Sequence, residues 1–498
     1  MEFSITHEYY SISPFTISII FLLIIFFLSL RWVSKNYAQS NTTKIIKLPP
    51  EPSGAWPLIG HLLLLRKPKP LHITLGNIAD EYGPLFTIKL GVHRVLVVSR
   101  WDMAKECLAT NDRVFANRPK SSLALEILGY DFTMMGFSFY GPYWRQVRKI
   151  AITELLSTNR VEMLKHAREY EVSSAIKEIH DLWINNNKTE VLVDMKRWFS
   201  DINTNVILRM LVGKPFVVRG PDSSLPAVKA DENERCRKAM RDFFNLAGDF
   251  PIGEALPLLR FLDLDGKEKA MKRTAKVLDD FAQDWLDEHK EKRRSGDYHD
   301  QVEKDFMTTM LSVLDHHEEI RSPYGSDKII KATCLANESD IKNLPYLHSI
   351  IKETLRLYPA GPLLIPYESM EDCTVGGYHI PAGTRVLINV SKIQRDPHVW
   401  PDPDKFLPER FLTSAKNCDV RGQNFELIPF GSGRRICPGV TLGLQVMLLT
   451  LANLLQGFDI ATPLDEPLDV SETSGMTNLK AGQLDVLLIP RLSHEIYG

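Results

Sequence analysis

The sequence has no paired cysteines. Its 498 residues include six, Cys107, Cys236, Cys334, Cys373, Cys418 and Cys437, with no CxxC pair and no tight cluster. That scatter argues against a disulfide framework and a structural zinc site, and fits reduced thiols facing a cytosol. Net charge is also nearly absent. Sixty basic residues against 62 acidic ones leave a formal charge of -2, which gives no support to a nucleic-acid partner. There is no internal repeat and no low-complexity tract. A nucleotide-binding glycine fingerprint is missing too: "GSGRRI" at 431–436 is the nearest approach, and it does not sit between a strand and a helix.

One stretch lacks charge altogether. Ser11–Leu30 are twenty residues without an ionisable side chain, centred on "IIFLLIIFFLSL", long enough to cross a bilayer as a helix. Glu2 and Glu8 precede it, while Arg31, Lys35, Lys44 and Lys47 follow. The positive flank predicts a cytoplasmic body. A cleaved signal peptide is the competing reading; the acidic start and the lack of a small-x-small site argue against it. The expected organisation is an N-terminal membrane anchor at 1–33, a basic, proline-rich hinge at 34–60 ("LPPEPSGAWPLIG" closes it), and one domain at 61–498. Sequons at Asn41, Asn187, Asn337 and Asn389 are expected to stay unmodified on a cytosolic face.

With 44% hydrophobic and 24% charged residues, the remainder is ordinary globular material. "GPLFTIKLGVHRVLVVS" predicts two strands, Leu85–Leu90 and Val95–Ser99, turning at Gly91–His93. From Ser121 to about Ala336 the apolar residues of "DDFAQDWLDEHKEKRRSG" and "DFMTTMLSVLDHHEE" recur at helical spacing. From Gly376 short strands return in "GGYHIPAGTRVLINV". The expected fold is mainly α with a small β-rich portion.

The glycines that occur are concentrated around one cysteine. "FGSGRRICPGV" surrounds Cys437 with three glycines, a proline and two arginines. A cysteine that ligates a metal does so as a thiolate, and a buried thiolate needs donors to hold its charge. Glycines let backbone N–H groups turn toward sulfur and let a flat cofactor come close. Arg435 can reach a cofactor carboxylate, and Phe430 can shield the sulfur. The pattern suits an axial thiolate on a haem iron. A buried cysteine in a glycine-rich turn is the plainer alternative.

Three further motifs precede that loop. "KETLRLYP" puts Glu353 and Arg356 three apart on a helix face, "FLPERF" supplies Arg410 in a loop, and "WRQVRK" puts Trp144 and Arg148 four apart. Each is weak alone, since charges at such spacing usually lie on a solvated face. Their order ahead of "FELIPFGSGRRICPG", together with "DPDKFLPERF" and "MTNLKAG", makes the chain resemble a membrane-anchored plant cytochrome P-450, most similar to the 82 family, from the hinge onward.

The resemblance implies a single N-terminal transmembrane helix followed by the cytochrome P-450 fold. It implies haem b with Cys437 as the iron ligand in a loop with Phe430, Gly433, Arg435 and Gly439. It makes Trp144, Arg148 and Arg435 contacts of the haem propionates, and Glu353, Arg356 and Arg410 a buried ion-pair triad behind the loop. One more propionate contact is usually His or Arg, where this chain has Tyr367. The implied activity is NADPH- and oxygen-dependent hydroxylation of a lipophilic terpenoid, flavonoid or alkaloid on the endoplasmic reticulum membrane, with NADPH-cytochrome P-450 reductase as partner. Arg145, Lys149 and Arg434 are the candidate docking cations, and Pro119–Phe137 and Ala360–Pro366 the substrate-facing segments.

In one place the chain departs from the family. "DKIIKATCLA", ending at Ala336, resembles the start of the family's central helix, which carries a small-small-x-acid-Thr stretch. It runs at once into "NESDIKNLPYLHSIIKETLR". Glu353–Thr354 and Glu472–Thr473 are acid-Thr pairs, but neither is in the right context. The expectation is an internal deletion at 336–337 of roughly forty residues, about 60 Å if helical. Two further readings stand beside the monooxygenase: a haem-thiolate isomerase or dehydratase, and a non-catalytic splice or gene-model variant.

Overall fold

The computed structural model describes residues 47–66, 69–215, 227–295, 305–315, 344–463, 468–473 and 475–497. The expected anchor, the segment ending at Ala336 and the 336–337 junction lie outside the described residues. Residues from Pro49 onward form one unit.

Its strands, in chain order, are β1 (Leu85–Leu90), β2 (His93–Val98), β3 (Val191–Asp194), β4 (Tyr367–Glu368), β5 (Cys373–Val375), β6 (Tyr378–Ile380), β7 (Arg385–Ile388), β8 (Phe458–Ala461) and β9 (Asp485–Pro490). The largest sheet has the order β1-β2-β7-β4, with β2 and β7 parallel. β2 reads "HRVLVV" because it is interior: Val95 to Val98 are all buried, so apolar residues occupy both faces. The strand starts two residues earlier than expected. His93 pairs with Leu90, which leaves only Gly91 and Val92 to turn, and Ser99 falls outside it. A second sheet has the order β3-β9-β8, and β5 and β6 form a hairpin.

The longer helices are α1 (Leu71–Tyr82), α2 (Pro142–Ile150), α3 (Lys165–Asn185), α4 (Met195–Val212), α5 (Ala227–Ala247), α6 (Lys267–Ser295), α7 (Phe306–Asp315), α8 (Pro345–Leu357) and α9 (Val440–Gly457). Local chemistry sets several ends. Asp194 caps α4 by accepting from Arg197 N–H at 3.1 Å, and α8 has its proline in the first turn, where no N–H is needed. Arg410, expected in a loop, lies in a 3₁₀ turn, Pro408–Phe411.

Among the described residues one helix, α9, is long and apolar enough to cross a membrane. Its packing explains that composition. Leu442, Val446 and Leu454 join one core cluster with α3 and α4 residues, while Val440 and Leu448 join another with Leu347, Ile351 and Leu355 of α8. A helix with neighbours on two sides has little room for a polar face. It anchors the C-terminal side of the Cys437 loop to the body of the fold. Asn389 is fully buried and donates to His72 O at 2.8 Å, so this sequon is closed to modification.

Candidate active site

Cys437 follows a 3₁₀ turn, Gly433–Arg435, and comes two residues before Gly439, which precedes α9. Its backbone N–H donates to Phe430 O at 3.0 Å, closing the loop, and its side chain is exposed. Although the residue reaches the surface, protein packed around its sulfur desolvates the thiol and pushes its pKa up; the Gly439 N–H and the Arg148 guanidinium oppose that shift. Gly433 has a φ of 66°, and a Cβ there would lie 2.2 Å from Leu108 O. No other residue type fits.

Three arginines gather beside this loop. Arg148 on α2 donates to Ile436 O at 2.7 Å. Arg435 donates to Ala116 O at 2.7 Å and to Ser138 O at 2.6 Å. Both face the Trp144 ring, at 5.4 and 4.4 Å from its centroid. The third is Arg118, 3% exposed, which donates to Gly136 O, Ile365 O and Pro366 O at 2.8–3.0 Å. None of the three has a carboxylate within ion-pair reach among the described residues. Burial pushes Arg435 down to about 8, with Arg118 and Arg148 adding repulsion, and pushes Arg118 down to about 10. Positive charge is concentrated here without an acid to balance it.

Sequence reasoning missed Arg118. Its partners are backbone carbonyls 18 to 248 residues away, so no local pattern marks it. Tyr367, expected to replace a propionate contact, is 3% exposed, and the Arg118 guanidinium sits 4.9 Å from its ring centroid. Burial pushes its phenol pKa up.

The expected triad assembles. Glu353 and Arg356 are fully buried and Arg410 is 6% exposed. Arg356 holds the carboxylate with two bonds, at 2.7 and 2.9 Å, Arg410 Nε reaches it at 3.1 Å, and Leu407 N–H at 2.9 Å. Burial alone would raise the Glu353 pKa; these donors lower it overall. The remaining guanidinium nitrogens hold carbonyls of Gln394, Pro401 and Pro403 at 2.8–2.9 Å, which fixes the irregular chain between α8 and the cysteine loop.

The two acid-Thr pairs are otherwise engaged. Glu353 belongs to the triad and Thr354 bonds Ile350 O; Glu472 pairs with His72 at 2.7 Å. Of the three cations expected as docking candidates, Arg145 and Lys149 are exposed on α2, and Arg434 is ion-paired with Asp112 at 2.9 Å. Arg145 and Arg434 line a recess of about 470 Å³ with Arg113, Tyr140, Gly141 and Met370.

A glycine-bound cysteine beside an acid-free arginine cluster suits an iron-bound, dianionic, flat cofactor. The comparisons agree: the cytochrome P450 family model matches residues 49–336 and 316–486, and the chain belongs to this family of cysteine-thiolate-ligated haem monooxygenases. More narrowly, its relatives are 82-type plant enzymes. The chain is 46% identical to strychnine-10-hydroxylase of Strychnos nux-vomica, over all of both chains. It is 44% identical to flavonoid-6-hydroxylase of Ocimum basilicum over 97% of this chain and 98% of that one. It is 45% identical to cytochrome P450 82A4 of Glycine max over 90% of this chain and 92% of that one. The first of these alignments runs over 544 positions against 498 residues in this chain, and the two family matches meet and overlap at 316–336.

Proposed function

We propose that this chain hydroxylates a lipophilic plant specialised metabolite, with haem b held by Cys437 and electrons from NADPH through a membrane-bound reductase. The observation that carries the reading is the Arg118–Arg148–Arg435 cluster beside an exposed thiol. Two propionates would supply the missing negative charge, and Trp144 would wall the site. Bound haem supplies insertion of one oxygen atom of O2 into a C–H bond. The chain's share is to hold the thiolate with the Gly439 N–H, orient the carboxylates with guanidiniums, and fix the loop through Glu353, Arg356 and Arg410. The test is the ferrous-carbon monoxide spectrum of the haem-loaded full chain. A thiolate-type band is expected and Cys437→Ala should abolish it; a band that survives overturns the assignment.

Attachment to the endoplasmic reticulum, through the 1–33 anchor and 34–60 hinge, is part of the proposal. It is supported by exposed apolar side chains on three segments that meet: Trp56 and Leu58 (both 61% exposed), Val92 (66%), and Leu258 and Phe261 (90% and 81%). Gly91 N–H bonds Ile59 O, and Val92 N–H bonds Ala255 O, which brings these segments together. A lipid surface is the partner such a patch fits.

A second reading has its own support. The long alignments and the split family match favour an internal deletion after Ala336, which removes the acid-Thr relay and makes this form catalytically impaired. Expressing this chain beside one with a family-type segment restored after Ala336 separates the two. With reductase and a panel of strychnine and flavonoids, the restored chain alone should form product with little peroxide. Equal coupled turnover by both would remove the impairment.

A further inference from the structure

Glu254 is a buried carboxylate that the site above does not use. It sits in the short Ile252–Ala255 helix at 3% exposure. One oxygen is ion-paired with Arg385 at the start of β7, itself 5% exposed. The other accepts from Leu123 N–H at 2.7 Å. Leu123 opens the Leu123–Ile127 helix, whose own preceding residue, Ser122, makes no side-chain cap. The cap is therefore delivered from 131 residues away. Arg385 adds a bond to Ser121 Oγ at 2.9 Å and lies 5.3 Å from the Phe250 ring centroid.

The Ile252–Ala255 turn is itself fixed. Glu254 O accepts from His93 Nε2 at 3.0 Å, and Ala255 O accepts from Val92 N–H at 3.1 Å. Gly91 comes so close that a Cβ there would lie 1.9 Å from Ala255 O. The carboxylate thus hangs from a rigid mount on the β1–β2 turn and reaches across to the start of an apolar helix. That helix contributes Ala124 and Leu125, and the chain just after it Leu128, to a cluster with Phe137, Phe243 and Met271. Ile365 and Met476 pack against the same cluster.

We infer that Glu254, backed by Arg385, is a positioning residue that sets where the Leu123–Leu128 segment borders the substrate chamber, without touching substrate. This rests on the hydroxylase reading, which puts Pro119–Phe137 and Ala360–Pro366 on the substrate side. Burying a charged pair adds little net stability. What it supplies here is a fixed register between two segments that carry mostly apolar, non-directional contacts. Glu254→Gln keeps an acceptor for Leu123 but strands Arg385; Glu254→Ala removes both bonds.

The test is amide hydrogen exchange on the full chain, wild type against both variants. Exchange across 121–128 should quicken at least about fivefold in Glu254→Ala and less in Glu254→Gln, as for loss of a helix cap. The Pro345–Leu357 helix should be unchanged. No change at 121–128, or equal quickening everywhere, overturns the inference. If Glu254→Ala does not fold, Glu254→Gln alone decides. On haem-loaded protein, the spectral dissociation constants of 4-phenylimidazole and clotrimazole should separate, the bulky azole changing more. Parallel changes overturn the positioning role. If no haem binds, the hydroxylase reading fails while the exchange experiment still judges Glu254.

Discussion

Two clusters of buried arginine serve this chain, and they are balanced differently. Around Glu353, one carboxylate accepts from Arg356, Arg410 and the Leu407 N–H, and nearby carbonyls take the remaining donors. Around the cysteine loop, Arg118, Arg148 and Arg435 bond carbonyls and lie against aromatic rings, with no carboxylate ion-paired to them among the described residues, and each is pushed down by burial. The first cluster is complete within the chain and belongs to folding. The second has no acid of its own among the described residues, and the proposed function gives it to binding. The same residue type marks either role; the acid beside it tells which.

The largest test of that contrast is Glu353→Gln. It leaves two buried guanidiniums without their anion, and breaking such a network costs about 3–5 kcal/mol. Chemical denaturation should show a loss of that order, and Arg356→Lys should lose haem because an ammonium cannot replace a two-pronged contact. A loss under about 1 kcal/mol would mean that the pair behaves as a surface one.

The second cluster should respond in haem binding rather than in stability. Arg118→Met removes one of three mutually repelling charges and keeps much of the volume. The haem-free chain should change little in thermal melts, because relief of that repulsion offsets the loss of the bonds to Gly136 O, Ile365 O and Pro366 O, while haem retention in a transfer assay falls about tenfold, as for loss of one charge-assisted contact. Destabilised haem-free protein with normal haem retention would make Arg118 a folding residue and erase the contrast.

A third test concerns His93, whose ring is bound to Glu254 O. Burial, with Arg385 adding repulsion, lowers its pKa to about 4 from 6.5. Between those values the unfolded chain binds more protons than the folded one, so stability falls as pH drops from about 6.5 toward 4. Denaturation midpoints should show this slope, and His93→Gln should flatten it. An unchanged slope would assign the acid sensitivity to other groups.

Legibility in the sequence followed the range of each interaction. Glu353 and Arg356 could be read because they lie three positions apart, on one face of a helix. β2 could be read because an interior strand is apolar on both sides. Arg410 needed a motif, since its acid partner is 57 residues away. Arg118 escaped because its partners are carbonyls, which every residue carries. β4 escaped for a related reason: two residues form a strand only because Tyr367 and Glu368 pair with Val386 and Arg385 of β7. Cys437 could be read because Gly433 excludes other side chains through contacts with Leu108 and Asp112, and so imprints a distant neighbour on the local sequence.

The smallest expected effect sits at the same loop and bounds the comparison from the exposed side. Arg434 also meets a carboxylate, Asp112 at 2.9 Å, with the two side chains 47% and 23% exposed. Water already solvates much of this pair, so Asp112→Asn should change stability by less than about 1 kcal/mol. Asn retains an acceptor for the Arg434 backbone N–H, which Asp112 now binds at 3.0 Å, so the loop geometry should persist. What should change is the field: an unmasked Arg434 beside Arg113 and Arg145 makes the recess more positive. If the proposed reductase docks at this recess through carboxylates, electron transfer should speed up at low ionic strength and converge with wild type at high salt. A loss of more than about 2 kcal/mol in Asp112→Asn would show that exposure does not separate these arginine sites. It would make the Asp112 carboxylate part of the cysteine loop's own architecture.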